Sequence, residues 1–195
     1  MEKQVAPELL PFLFPRQKDW AAWLARNHDK SPGVWLRLAK KASGLQSVSY
    51  SEALEVALCH GWIDARKRSE SETTWLQRFT PRADKSIWSK INRQKAIALV
   101  KAGRMKRAGL AQIERAKKDG RWEAAYDSPS SATPTPELQA ALNQNPRAKA
   151  FYATLDSQNR YAILFRIQTA KKAATRAKRV QQFVEMLENN KKLHP

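Results

Sequence analysis

The sequence is poor in cysteine and in long apolar runs. Among its 195 residues there is one cysteine, Cys59, which excludes a disulfide framework, an iron–sulfur cluster and a cysteine-based zinc site. The longest apolar stretch, residues 9–15, is interrupted and ended by proline, and it is far shorter than the ~20 residues of a membrane span. The N-terminal residues also lack the pattern of a secretory signal peptide. A free thiol without an export signal predicts a cytoplasmic protein.

Acidic residues are scarce relative to basic ones. The chain has 36 Lys and Arg against 18 Asp and Glu, a formal net charge of +18. Residues 82–118 hold twelve bases and two acids, and residues 160–179 hold seven bases and no acid. This excess favours an anionic partner. Either stretch alone is also typical of a solvated helix face that keeps a protein soluble.

Glycine and tryptophan are confined to one part of the chain. All six glycines and all seven tryptophans precede residue 123, and residues 127–136 are rich in Ser, Thr and Pro. We therefore predict a Trp-rich α+β domain over residues 1–127, a linker over 128–136 and a basic helical segment over 137–195. The expected fold class is α+β, a small antiparallel sheet packed by helices and followed by an all-α C-terminal segment.

Local patterns predict the elements before the linker. Trp20, Trp23 and Leu24 recur at helical spacing, which indicates a helix over residues 17–28. The other elements follow from β propensity, apolar periodicity and glycine stops. They are strands over 34–38, 62–67 and 73–79, and helices over 49–60, 89–102 and 106–118.

Several helix starts carry capping signals. Ser49 and Glu52 form a capping box, in which each side chain bonds the other residue's backbone N–H. After the linker we expect three or four helices, with Thr135, Asn145 and Ser157 as N-caps.

Basic residues interleaved with aromatic rings are typical of nucleic-acid binding, in which cations contact phosphates and exposed rings stack on bases. The predicted hairpin, the 82–118 segment and the last helix carry such residues. The candidates for phosphate contact are Arg66, Arg68, Arg82, Lys90, Arg93, Arg176 and Arg179, and the candidates for stacking are Trp75 and Trp88. On the alternative interpretation the rings belong to the core and the cations point into solvent.

Catalytic and cofactor motifs are missing. His28, His60 and His194 lie far apart in sequence. Cys59 and His60 are neighbours on a predicted helix, so their side chains diverge by about 100°. There is no phosphate-binding glycine loop, no dinucleotide fingerprint and no metal-ligand spacing. We therefore predict no catalytic residue, no metal and no cofactor, and we favour a protein that is not an enzyme.

Specific polar residues are concentrated in a few short segments. The chain resembles the YdeI/OmpD-associated proteins, also labelled bacteriocin-protection proteins, over about residues 33–190. The resemblance rests on Cys59, Gly61, Trp62, Ile63 and Asp64; Thr80, Pro81 and Arg82; Ser86, Trp88, Ser89 and Asn92; residues 103–105 and 116–122; Ala170 and Lys171; and residues 175–179. It implies the family's fold and a role in bacteriocin protection or stress tolerance, and it assigns no catalytic residue.

Three functions are compatible with these patterns. The leading hypothesis is a protein that binds an anionic partner, above all DNA or RNA. The second is an enzyme or small-molecule binder. In it, Asp64 orients or activates the bound molecule, and Arg82 holds an anionic group of that molecule. The third is a protein-interaction module whose helical tail docks a partner. The second hypothesis adds four pocket residues: His60, Thr80, Ser86 and Asn92.

Asp64 and Arg82 also have a purely structural interpretation, a buried ion pair between the hairpin and the following helix. The oligomeric state does not follow from the sequence.

Overall fold

The structure, a computed structural model, describes residues 10–195, which form eight helices and three strands. The predicted fold class is confirmed, because an antiparallel sheet with helices precedes an all-helical segment. In chain order the elements are α1 Gln17–Asn27, β1 Val34–Ala39, α2 Tyr50–Cys59, β2 Trp62–Ser69, β3 Thr74–Pro81, α3 Lys90–Lys101, α4 Arg107–Lys118, α5 Pro136–Gln144, α6 Pro146–Thr154, α7 Ser157–Gln168 and α8 Ala173–Glu188.

The chain is divided into two compact units. The first contains residues 10–86 and 92–122, and the second contains residues 87–91 and 123–195. From residue 123 onwards the whole chain belongs to the second unit, so this boundary lies before the predicted linker. Ser128 begins a turn there, in which its carbonyl accepts the N–H groups of Ser131 (3.1 Å) and Ala132 (2.9 Å).

The sheet of the first unit has β3 at its centre, antiparallel to both neighbours in the order β1-β3-β2. The edge formed by β1 is covered, since Phe12 pairs with Leu36 in an isolated parallel bridge. Within the described residues β2 forms the other edge. The β2–β3 register shifts between Asp64 and Lys67, which places a bulge on that edge.

Helices α1 and α2 cover one face of the sheet with an aromatic core. The predicted apolar face of α1 is confirmed, because Trp20 and Leu24 are fully buried. The Trp20 ring lies 5.8 Å from Phe79 and 6.3 Å from Trp62, centroid to centroid. Its indole N–H donates to the Ala53 carbonyl at 3.1 Å, so the large apolar ring is buried with its polar atom satisfied.

Helix α2 is defined at both ends. The predicted capping box is confirmed, with Ser49 and Glu52 bonded reciprocally. Gly61 follows the helix at φ +75°, a conformation that glycine adopts without strain. Gly109 of α4 packs on the end of α2 so closely that a Cβ there would lie 2.5 Å from the Cys59 carbonyl oxygen.

The second unit is built from α5 to α8 around its own core. The predicted N-caps Thr135 and Asn145 are confirmed. The prediction for Ser157 was wrong, since the Asp156 carboxylate accepts the Asn159 N–H at 2.7 Å and occupies the N-cap position itself. A carboxylate suits this place because it complements the helix dipole as well as the orphan donors. The core contains Leu138, Leu142, Ile163, Ile167 and Leu187.

Candidate anion-binding surfaces

Three consecutive cations lie on the edge strand β2. Arg66, Lys67 and Arg68 are all exposed; Arg66 lies in the bulge, and the other two follow it. Within residues 10–195 the side chains of Arg66 and Lys67 make no hydrogen bond or ion pair. Their charges are therefore available to an external anion. We call these three residues the basic edge.

Arg68 lies over an aromatic ring. Its guanidinium carbon is 4.6 Å from the centroid of Trp35, a cation–π geometry that orients the guanidinium plane. Trp35 is 6% exposed. Pairing sets Trp35 opposite Arg78 and Arg68 opposite Leu76, on the face of the sheet away from α1 and α2.

Four side chains on that face, Trp35, Arg37, Arg68 and Arg78, are here called the arginine face. Arg37 is held by Glu70, which accepts from its Nε at 2.8 Å and from its Nη2 at 2.6 Å. These bonds lower the pKa of Glu70. The ion pair with Glu70 neutralises the charge of Arg37.

The sequence analysis did not predict Trp35 as a site residue, because apolar and polar residues do not alternate at the start of β1. Val34, Trp35 and Leu36 are all buried, although successive residues of a strand point to opposite faces. A strand buried on both faces reads as a continuous apolar run. The sequence did carry a signal. Trp35 and Arg37 are two residues apart, so on a strand they lie on the same face, which therefore carries both an aromatic and a basic side chain.

Trp75 lies on the opposite face from Arg68. Its ring is half-buried and lies 6.0 Å from that of Tyr50 on α2. The Tyr50 hydroxyl donates to the Asp64 carboxylate at 2.8 Å. Burial and the charge of Asp64 raise the pKa of Tyr50. The structure therefore brings together Tyr50, Asp64 and Trp75, and it places the Trp75 ring on the face opposite Arg68 and Arg78.

The residues of the second hypothesis are mostly packed. Arg82 is 5% exposed. Its Nη1 donates to the Ser86 hydroxyl at 3.3 Å, and its backbone N–H donates to the Gly61 carbonyl. Thr80 pairs with Ile63 in the hairpin. Asn92, in the same unit, is half-buried on α3.

The remaining phosphate candidates on α3 and α8 bond to other residues of their own units. Lys90 forms an ion pair with Asp127 at 2.7 Å in the second unit. Arg93 donates to the Trp122 carbonyl at 2.9 Å in the first. On α8, Arg176 donates to a backbone carbonyl and lies 3.7 Å from Glu137, and Arg179 donates to the Arg166 carbonyl. Trp88 is 2% exposed, so its ring offers no face to a base in this conformation.

No group of three or more His, Cys, Asp or Glu residues in the described part of the chain could hold a metal ion. Across residues 10–195 no helix combines the length and apolarity needed to cross a membrane. The predicted cytoplasmic location stays a prediction.

The sheet and helices define an α+β protein with a helical C-terminal segment. Residues 12–112, just over half of the chain, match a family model described as a domain of unknown function, DUF8412, and the chain belongs to that family. Residues 131–190 match the model described as Bacteriocin-protection, YdeI or OmpD-Associated, named OmdA. The resemblance found in the sequence is thus confirmed for the C-terminal segment, which is an OmdA domain. No curated protein and no solved structure matches the chain.

Proposed function

We propose that the protein binds the sugar-phosphate backbone of nucleic acid through the basic edge of β2. The observation that carries the proposal is the exposure of Arg66 and Lys67 without a hydrogen bond or ion pair in the described residues, beside Arg68. Most other candidate cations are committed to ion pairs or carbonyls, whereas Arg66 and Lys67 are adjacent and their side chains make neither within residues 10–195.

The geometry of Arg68 adds a second mode of contact. The guanidinium carbon of Arg68 lies 4.6 Å from the centroid of the Trp35 ring, and an unpaired base that stacks on the guanidinium plane would extend this contact. Arg66 in the bulge and Lys67 directly after it then supply positive charge to the phosphates. Such contacts are independent of sequence and favour single strands, whose bases are accessible.

The test is a binding comparison with a labelled 20-nucleotide single-stranded RNA, measured by fluorescence anisotropy. The double variant Arg66→Gln/Lys67→Gln removes two phosphate contacts and should weaken binding about tenfold at 0.1 M salt. The matched control Lys171→Gln/Lys172→Gln removes the same charge from exposed positions of the second unit and should change the affinity less than twofold. Equal losses in the two variants would contradict the proposal.

A third variant separates charge from stacking. Arg68→Lys keeps the charge and removes the planar group over Trp35. We expect weaker binding to single-stranded RNA with an unchanged dependence on salt. Unchanged affinity would show that the guanidinium plane takes no part.

A further inference from the structure

A cavity of about 370 Å³ lies in the first unit, between α1, the end of α2 and the α3–α4 connection. We infer that it binds a small organic anion, a carboxylate or a phosphate. Its volume is at the lower end of the range for small-ligand sites. Its polar lining residues are Gln17, Lys18, Cys59, His60, Arg104 and Lys106.

His60 supplies a polar ring that has no hydrogen-bond partner among residues 10–195. It is 8% exposed, it lines the cavity, and its ring makes no hydrogen bond within residues 10–195. Its neighbour is the His28 ring at 5.5 Å, whose Nδ1 is engaged with the Leu24 carbonyl at 3.1 Å. Buried polar groups are normally paired, so the imidazole N–H is a donor that a ligand oxygen would satisfy.

Gln17 supplies a second donor at the start of α1. Its Nε2 is buried without a hydrogen-bond partner among the described residues. The N-cap residue Arg16 makes no side-chain capping bond, and it is instead bonded to Asp19. Orphan N–H groups and the helix dipole both favour an anion at such a terminus.

The charge of the lining fits the same ligand. Its charged residues are Lys18, Arg104 and Lys106, and no acid contributes. Arg104 is paired with Glu55 at 2.9 Å. In the described part of the chain Lys18 and Lys106 make no side-chain hydrogen bond or ion pair. Burial lowers the pKa of His60 to about 4, so its imidazole is neutral at pH 7 and donates one hydrogen bond without adding charge.

The single cysteine of the chain provides the readout. Cys59 lines the cavity, so a bound anion should shield its thiol from alkylation by iodoacetamide, an uncharged reagent. We expect inorganic phosphate or acetate at 20 mM to slow the alkylation at least threefold relative to sodium chloride of equal ionic strength. Rates that neither anion lowers beyond the chloride value would overturn the inference.

Two variants make the test specific to the cavity. Lys106→Gln removes an exposed cation of the lining and should abolish most of the protection by phosphate. Lys30→Gln removes the same charge from an exposed position outside the cavity and should keep the protection. Full protection in Lys106→Gln, or an equal loss in Lys30→Gln, would show that phosphate acts elsewhere. Neither residue belongs to the basic edge, so the outcome is independent of nucleic-acid binding.

Discussion

The contact between α2 and α4 gives a prediction whose sign opposes helix propensity. Gly109 lies inside α4 with no positive φ, and at such a position alanine is ordinarily preferred by about 1 kcal/mol. A Cβ at this position would lie 2.5 Å from the Cys59 carbonyl oxygen and 2.7 Å from that of Leu58. Both obstacles are backbone atoms and cannot rotate away.

The size of the effect follows from these distances. An ordinary contact begins at 3.4 Å, so α4 would have to move by roughly 0.7–0.9 Å from the end of α2. Overpacking of this kind costs about 1–3 kcal/mol, and the propensity gain offsets about 1 kcal/mol of it. The net expectation is that Gly109→Ala destabilises the first unit by about 0–2 kcal/mol.

Urea unfolding monitored by tryptophan fluorescence measures this change, because six of the seven tryptophans lie in the first unit. Ala111→Gly is the control, since Ala111 is exposed on the same helix and reports propensity alone. We expect it to cost about 1 kcal/mol. A Gly109→Ala protein more stable than the wild type would refute the reasoning.

Three further effects are expected. Ser49→Ala removes the capping box of α2 and should cost about 1 kcal/mol in urea unfolding, whereas no loss would mean that the cap is dispensable. Because burial lowers the pKa of His60 from 6.5 to about 4, the unfolded state binds more protons between these values. The contribution of neutral, buried His60 to the free energy of unfolding is therefore complete above pH 6.5 and is lost as the pH falls towards 4. His60→Gln should flatten that part of the stability curve, and an unchanged curve would contradict the assignment. Asn159 is 1% exposed and bonds the His194 backbone twice, so Asn159→Ala should cost about 1–3 kcal/mol and raise amide exchange at His194.

The helices could be predicted from the sequence because their signals are local. The spacing of Trp20 and Leu24 and the Ser49–Glu52 capping box lie within single turns. Ser157 was assigned wrongly by one residue, where two neighbouring side chains could both cap and the carboxylate of Asp156 is the better acceptor.

Whether a given cation forms an ion pair could not be predicted, because the acidic partner is distant in sequence. Arg37 and Glu70 are 33 residues apart, and Lys90 meets Asp127 across a similar interval. The sequence shows only that Arg66 and Lys90 are both basic. The fold shows that Lys90 is paired with Asp127, whereas the Arg66 side chain has no hydrogen bond or ion pair in residues 10–195. The open cavity beside Cys59 is likewise formed by three segments that no local pattern connects.

The salt dependence of binding to single-stranded RNA tests the central claim most directly. Three phosphate contacts by the basic edge predict a slope of log K against log salt of about −2, which is a loss of about 20-fold between 50 and 200 mM. Arg66→Gln/Lys67→Gln, with one contact left, should lose about threefold over the same range. A wild-type affinity that changes less than twofold, or a slope that the double variant leaves unaltered, would contradict nucleic-acid binding by this edge.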